Sequence, residues 1–258
     1  MNRTRFSANG LQVQTFISDC VNDYVAARVL LLAGLLQQGA ILGSTSIEKA
    51  CKAILAFHGN ESRGHLKKAH WNAVKNFDKN LWALLRQDFL ELNKTAYSLR
   101  YTDDLPVDFN IVIAQREYLA ELDHTIISLV QGFGAQHDIS GQGTKLAQLL
   151  MSRDSRLLVD NHMLSNMPKD EFIYSLPQQI YELRYVPFFG PVEVTYSSIR
   201  PAKQALFVRP GNIFRSVARI RDHKKPTTRF LLNFSNIFQK LRETSSISRP
   251  PYLKSPCS

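Results

Sequence analysis

The sequence predicts a mostly α-helical protein: an antiparallel bundle of four to five helices to about residue 133, a smaller α+β extension over residues 134–244 with a basic end, and a disordered tail over residues 245–258. Three observations carry this expectation. Apolar residues recur every three or four positions through most of the first 131 residues, the period of one helix face. Prolines 168, 177, 187, 191, 201 and 210 crowd the second half, too many for the interior of a long helix. Positive charge is concentrated at the end of the chain, where residues 200–258 hold 13 Lys and Arg against Asp222 and Glu243. A composition of 44% hydrophobic and 21% charged residues excludes a wholly disordered or collagen-like chain.

The elements follow in order. From Ser18, a residue suited to an N-cap, Val21, Val25, Val29 and Leu32 line one helix face, with Leu36 one turn further. A second helix is expected from about Ala40 to Phe57, with Ile47, Ala50, Cys51, Ile54 and Leu55 inward and Glu48, Lys49 and Lys52 outward. Gly59 closes it, because glycine tolerates the left-handed conformation that ends helices. His65 to about Asn93 reads as one long helix, or two in tandem around Phe77-Asp78. Pro106 interrupts the pattern. Asp108 then caps a fourth helix carrying Val112, Gln115, Leu119, Leu122, Ile126 and Leu129, and Gly132 to Gly134 end it. Thr144 to about Met163 reads as a further helix. Val192, Val194 and Tyr196 alternate with polar residues as a strand, and residues 205–208 are its expected partner. Two short helices, over 212–221 and 228–242, complete the reading.

Several classes are excluded or disfavoured. The longest clean apolar run, Val29 to Leu36, is eight residues, far short of the roughly 20 that cross a bilayer. No apolar stretch directly follows Arg3 and Arg5, so a secretory signal is not expected. Cys20, Cys51 and Cys257 are scattered and odd in number, which points away from a disulfide framework and structural zinc, and towards a reduced, cytoplasmic compartment. No metal or other cofactor is expected. The basic segment does suggest a partner. Arg215 and Arg219 lie one helical turn apart, with Arg221, Lys224, Lys225 and Arg229 following, as a phosphate backbone or an anionic membrane surface requires.

The order of features in residues 18–131 resembles a HEPN domain, the "higher eukaryotes and prokaryotes nucleotide-binding" helical family. The resemblance rests on Asp23-Tyr24-Val25-Ala26-Ala27-Arg28, on Ser46-Ile47-Glu48-Lys49-Ala50-Cys51-Lys52-Ala53-Ile54-Leu55 running into Phe57-His58-Gly59, on Gly64-His65-Leu66-Lys67-Lys68, and on Tyr97-Ser98-Leu99-Arg100-Tyr101. It covers a little under half of the chain, and the second-helix string is its most specific part. It implies a dimeric helical bundle that binds RNA or nucleotides, with Glu48, Lys52, His65, Arg100 and Tyr101 at the edge of a ligand groove. It also implies either a metal-independent endoribonuclease of a defence or toxin–antitoxin type, or a non-catalytic module that pairs with a separate nucleotidyltransferase or effector chain.

In family members that cut RNA, an Arg and a His four to six residues apart on the last helix do the work. The His moves the 2′-hydroxyl proton and the Arg steadies charge on the phosphoryl oxygens. On the fourth helix of this chain the candidates are Arg116 and His124, with seven residues between them. Two readings stay open: a displaced catalytic pair, or a HEPN-like domain without nuclease activity. Elsewhere, Glu48 and Lys52 also suit an ordinary i,i+4 surface pair. His58, His65 and His70 with Glu61 lack the spacing of a helical zinc site. Gly141-Gln142-Gly143-Thr144-Lys145 lacks the spacing of a phosphate loop, and Thr144 is expected to cap a helix.

Overall fold

The computed structural model describes residues 8–60, 64–107, 109–134, 141–186 and 189–197. They belong to one compact unit, mostly helical, with a three-stranded antiparallel sheet. The expected strand at 205–208, the helices at 212–221 and 228–242, the tail, and the basic residues Arg215, Arg219, Arg221, Lys224, Lys225 and Arg229 lie outside the described residues. Among those described, no helix is long and apolar enough to cross a membrane.

Helix α1 (Ala8–Leu32) and helix α2 (Leu36–Phe57) pack along their length as a hairpin. Helix α1 begins ten residues before Ser18, and Leu36 does not extend it. Gly34 adopts φ +82°, which a side chain disfavours, so the chain reverses there and Leu36 opens α2 as a buried residue. Small residues let the two helices approach closely. A Cβ on Gly39 would lie 2.6 Å from Leu31 Cγ and 3.1 Å from the Leu31 backbone nitrogen.

The stretch expected from His65 as one long helix, or two in tandem around Phe77-Asp78, is three helices: α3 (Lys68–Phe77), α4 (Lys79–Leu84) and α5 (Gln87–Tyr97), the first break falling where the tandem reading put it. Asp78 makes the first break, as its Oδ1 accepts hydrogen bonds from the backbone N–H groups of Asn80 (2.7 Å) and Leu81 (3.1 Å), capping α4. The second break has no glycine or proline. Leu85 turns extended and is buried, so core packing overrides helix propensity there.

The expectation of a helix from Asp108 through Val112 is corrected. Asn110–Ala114 is strand β1, and α6 starts at Gln115 and runs to Gly132. The β-branched run Ile111-Val112-Ile113 suits a strand, and β1 pairs with β2 (Gln179–Val186), Ile111 opposite Leu183 and Ile113 opposite Tyr181. These four side chains are buried. Strand β3 (Gly190–Ser197) contains the expected alternation at Val192, Val194 and Tyr196 and pairs with β2, whose strand character the sequence reading missed. Helix α6 has no local side-chain cap; Gln178 Oε1, from the loop before β2, accepts from the Arg116 and Glu117 amides at 2.9 and 3.4 Å.

The helix expected over 144–163 is broken into α7 (Lys145–Met151) and α8 (Ser155–Leu158). Arg153 takes φ +51° and Asp154 caps the second piece. Thr144 caps α7 as expected, accepting from the Ala147 amide at 3.4 Å. Both short helices pack on α1, and α9 (Lys169–Tyr174) packs on α6.

Candidate functional site

Four of the five residues drawn from separate segments by the family resemblance meet on one face of the molecule, and the fifth adjoins it. Thr45, Glu48 and Lys52 stand at i, i+3 and i+7 along α2, a spacing that aligns them on one side of the helix. Glu48 is buried. Its Oε1 is 2.6 Å from Lys52 Nζ and its Oε2 2.8 Å from His65 Nδ1, the latter on the turn before α3. A carboxylate only accepts hydrogen bonds, so Nδ1 carries the proton and donates. Nε2 has no hydrogen-bond partner among the described residues and is an acceptor when the ring is neutral, and the side chain is half exposed at 51%.

The end of α5 closes the face from the other side. The Tyr97 ring stacks on His65, with centroids 4.1 Å apart and planes 21° from parallel. The Arg100 guanidinium lies 4.3 Å from the same ring's centroid and donates to Thr45 Oγ1. The buried carboxylate thus sits behind, and Lys52, His65 and the exposed Arg100 present positive or proton-accepting groups in front. Tyr101 is 59% exposed and lines an adjoining depression of about 280 Å³ with Tyr97, Ser98, Asp104, Leu105 and Pro106.

The three histidines read together in the sequence separate. His65 joins Glu48. His70 is buried, its Nδ1 accepts from the Lys67 amide at 3.0 Å, and burial lowers its pKa. His58 lies against Phe57 and Phe77. Glu61 is outside the described residues. Among those described, no three His, Cys, Asp or Glu side chains are placed to hold a metal ion.

Arg116 and His124 are not brought together. Eight residues of helix put their backbones about 12 Å apart along α6. Arg116 is 8% exposed; its Nε donates to the Phe172 carbonyl at 2.8 Å, its Nη2 to Ser175 Oγ at 3.1 Å, and its guanidinium lies 4.1 Å from the Phe172 ring centroid. It anchors α9. Burial, reinforced by the positive charge of Lys169, brings the His124 pKa down to about 4, so its ring is neutral at pH 7.

Three buried carboxylates on α6 went unnoticed in the sequence. Asp123 pairs with Arg28, both fully buried, and accepts from Tyr24 Oη at 2.7 Å; Asn161 Nδ2 donates to that same Oη at 3.1 Å. Glu121 is held by Arg86 at 2.9 Å and Lys169 at 2.5 Å. Burial opposes its charge, but those two cations outweigh it and hold the carboxyl below its ordinary value. Neighbouring Glu117 has no hydrogen-bond partner for either carboxylate oxygen among the described residues, and burial pushes its pKa up to about 8. Tyr97 and Thr45 are the further members of the exposed face that the sequence did not single out. Their signal lay in spacing, three residues before Arg100 and three before Glu48. Comparison with known proteins finds no matching family model, no similar curated protein and no similar solved structure.

Proposed function

We propose that this chain is a HEPN-like protein that binds phosphate esters of RNA or nucleotides on the face formed by Lys52, His65 and Arg100. The observation that carries the reading is convergence. Glu48, Lys52, His65 and Arg100, chosen from three separate segments, form one contact network through the Tyr97 ring. The chemistry suits the ligand. A guanidinium and an ammonium flank a hydrogen-bonding imidazole, and such groups bind phosphate oxygens through charge-assisted hydrogen bonds. The test is fluorescence anisotropy of a labelled single-stranded RNA with the full chain and with the double variant Lys52→Met/Arg100→Met. Loss of two charged contacts is expected to weaken binding at least tenfold. Affinity within twofold of the parent would overturn the reading.

The Glu48–His65 pair favours a second step, metal-independent cleavage. A carboxylate on Nδ1 orients the ring and leaves Nε2 as a proton acceptor. His65 Nε2 takes the 2′-hydroxyl proton as the 2′ oxygen bonds to phosphorus. The P–O5′ bond breaks and O5′ takes a proton from water, leaving a 2′,3′-cyclic phosphate and a 5′-hydroxyl. Incubation with RNA in EDTA checks this: the parent is expected to cleave the RNA and His65→Ala to abolish cleavage even at protein concentrations that saturate binding. Intact RNA with the parent protein would leave a binding module, and copurification with a nucleotidyltransferase or effector chain would then support the non-catalytic alternative.

A further inference from the structure

The depression beside Tyr97 adds a second chemistry to the phosphate-binding face. Its volume of about 280 Å³ lies near the lower end of small-ligand pockets, which run from roughly 300 to 1,000 Å³, so it has room for one base-sized group. Its lining includes the exposed Tyr101 together with Tyr97 and Pro106, residue types on which a flat heterocycle stacks. One charged group lines it, Asp104. The Asp104 amide donates to the Tyr101 carbonyl at 3.3 Å, which fixes the turn, while its exposed carboxylate takes no hydrogen bond among the described residues.

We propose that this depression reads the base of the bound nucleotide and selects guanine. The inference rests on the phosphate-binding reading above, since Tyr97 is shared between the cationic face and the depression and joins the two subsites. A carboxylate offers only acceptors. Guanine is the base whose Watson–Crick edge presents two adjacent donors, N1–H and the N2 amino group, which a carboxylate meets with both oxygens. Adenine and cytosine each place an acceptor beside their amino group, and uracil sets one N–H between two carbonyls; each of these brings an acceptor against the carboxylate. The phosphate then lies at Arg100 and Lys52, and the base at Asp104 and Tyr101.

Isothermal titration of the full chain with 5′-GMP, 5′-AMP, 5′-CMP, 5′-UMP and ribose 5-phosphate tests the proposal. A bidentate pair is expected to favour GMP by about tenfold or more over the other nucleotides. In Asp104→Asn the side chain offers one acceptor and one donor, so the GMP preference is expected to disappear and AMP binding to strengthen, with ribose 5-phosphate unchanged. Tyr101→Ala is expected to weaken all four nucleotides and to spare ribose 5-phosphate. Equal binding of the four nucleotides, or a GMP preference that survives Asp104→Asn, would overturn the base-reading proposal and leave the phosphate site standing. Failure of every nucleotide and of ribose 5-phosphate to bind would overturn both.

Discussion

Replacing Glu117 with glutamine is expected to make the protein progressively more stable than the parent as pH rises from 5 to 8. Glu117 is 1% exposed, and neither carboxylate oxygen has a hydrogen-bond partner among the described residues. Burial raises its pKa from 4.5 to about 8; Arg86 and Lys169 oppose the shift and Glu121 adds to it. Below pH 4.5 both folded and unfolded chains hold the proton, so the group makes no difference. Between about 4.5 and 8 the unfolded chain releases it while the folded chain keeps it, and stability falls by about 1.4 kcal/mol per pH unit. Above about 8 both states are ionised and the loss stops. Over pH 5 to 8 the difference between variant and parent therefore grows by roughly 4 kcal/mol. The buried glutamine amide has its own cost of about 1–3 kcal/mol, but that cost does not vary with pH, so the slope is the observable. Taking the difference also cancels His124, which loses stability in the opposite direction, as pH falls from 6.5 towards 4. Urea unfolding of both proteins at half-unit pH intervals measures the slope. A difference that is flat with pH would refute the claim that Glu117 is held protonated in the fold.

Three further predictions concern the scaffold. Asp123→Asn removes the carboxylate facing fully buried Arg28 and is expected to cost about 3–5 kcal/mol in urea unfolding, since an uncompensated buried charge remains; a loss below 1 kcal/mol would contradict the pairing. Gly39→Ala drives a methyl group into Leu31, and the overpacking of about 1–3 kcal/mol is expected to exceed the gain of about 1 kcal/mol in helix propensity, lowering the thermal midpoint. Gln178→Ala strips the remote cap from the first turn of α6; about 1 kcal/mol of destabilisation and faster amide exchange at Arg116 and Glu117 are expected.

What could be read from the sequence divides along contact range. Helix α2 and the body of α6 were legible because Ile47, Ala50, Cys51 and Ile54, and Leu119, Leu122, Ile126 and Leu129, each mark a buried face by local spacing alone. Strand β1 was not. Val112 and Gln115 fit the helical rhythm of α6, and only pairing with β2, some 70 residues later, makes Ile111 to Ile113 a strand. The same limit applies to the site. Glu48 and Lys52 share a helix face and are visible as a pair, whereas the stack of His65, Tyr97 and Arg100 depends on how the turn before α3 meets the end of α5. Arg116 shows the converse. Its residue type and place on the last helix made it a candidate despite the seven residues between it and His124, and nothing local to it shows that the Phe172 carbonyl and Ser175, more than 50 residues away, take up its guanidinium.

The histidine side chains report directly on where the site lies. Long-range proton–nitrogen NMR of the imidazoles, recorded as the full chain is titrated with 5′-GMP, compares the two candidate positions in one experiment. The His65 Nε2 resonance is expected to shift with added nucleotide while Nδ1 keeps its proton against Glu48, and His124, half-buried on α6, is expected to stay in place. A stationary His65 together with a moving His124 would contradict the account and return the site to α6.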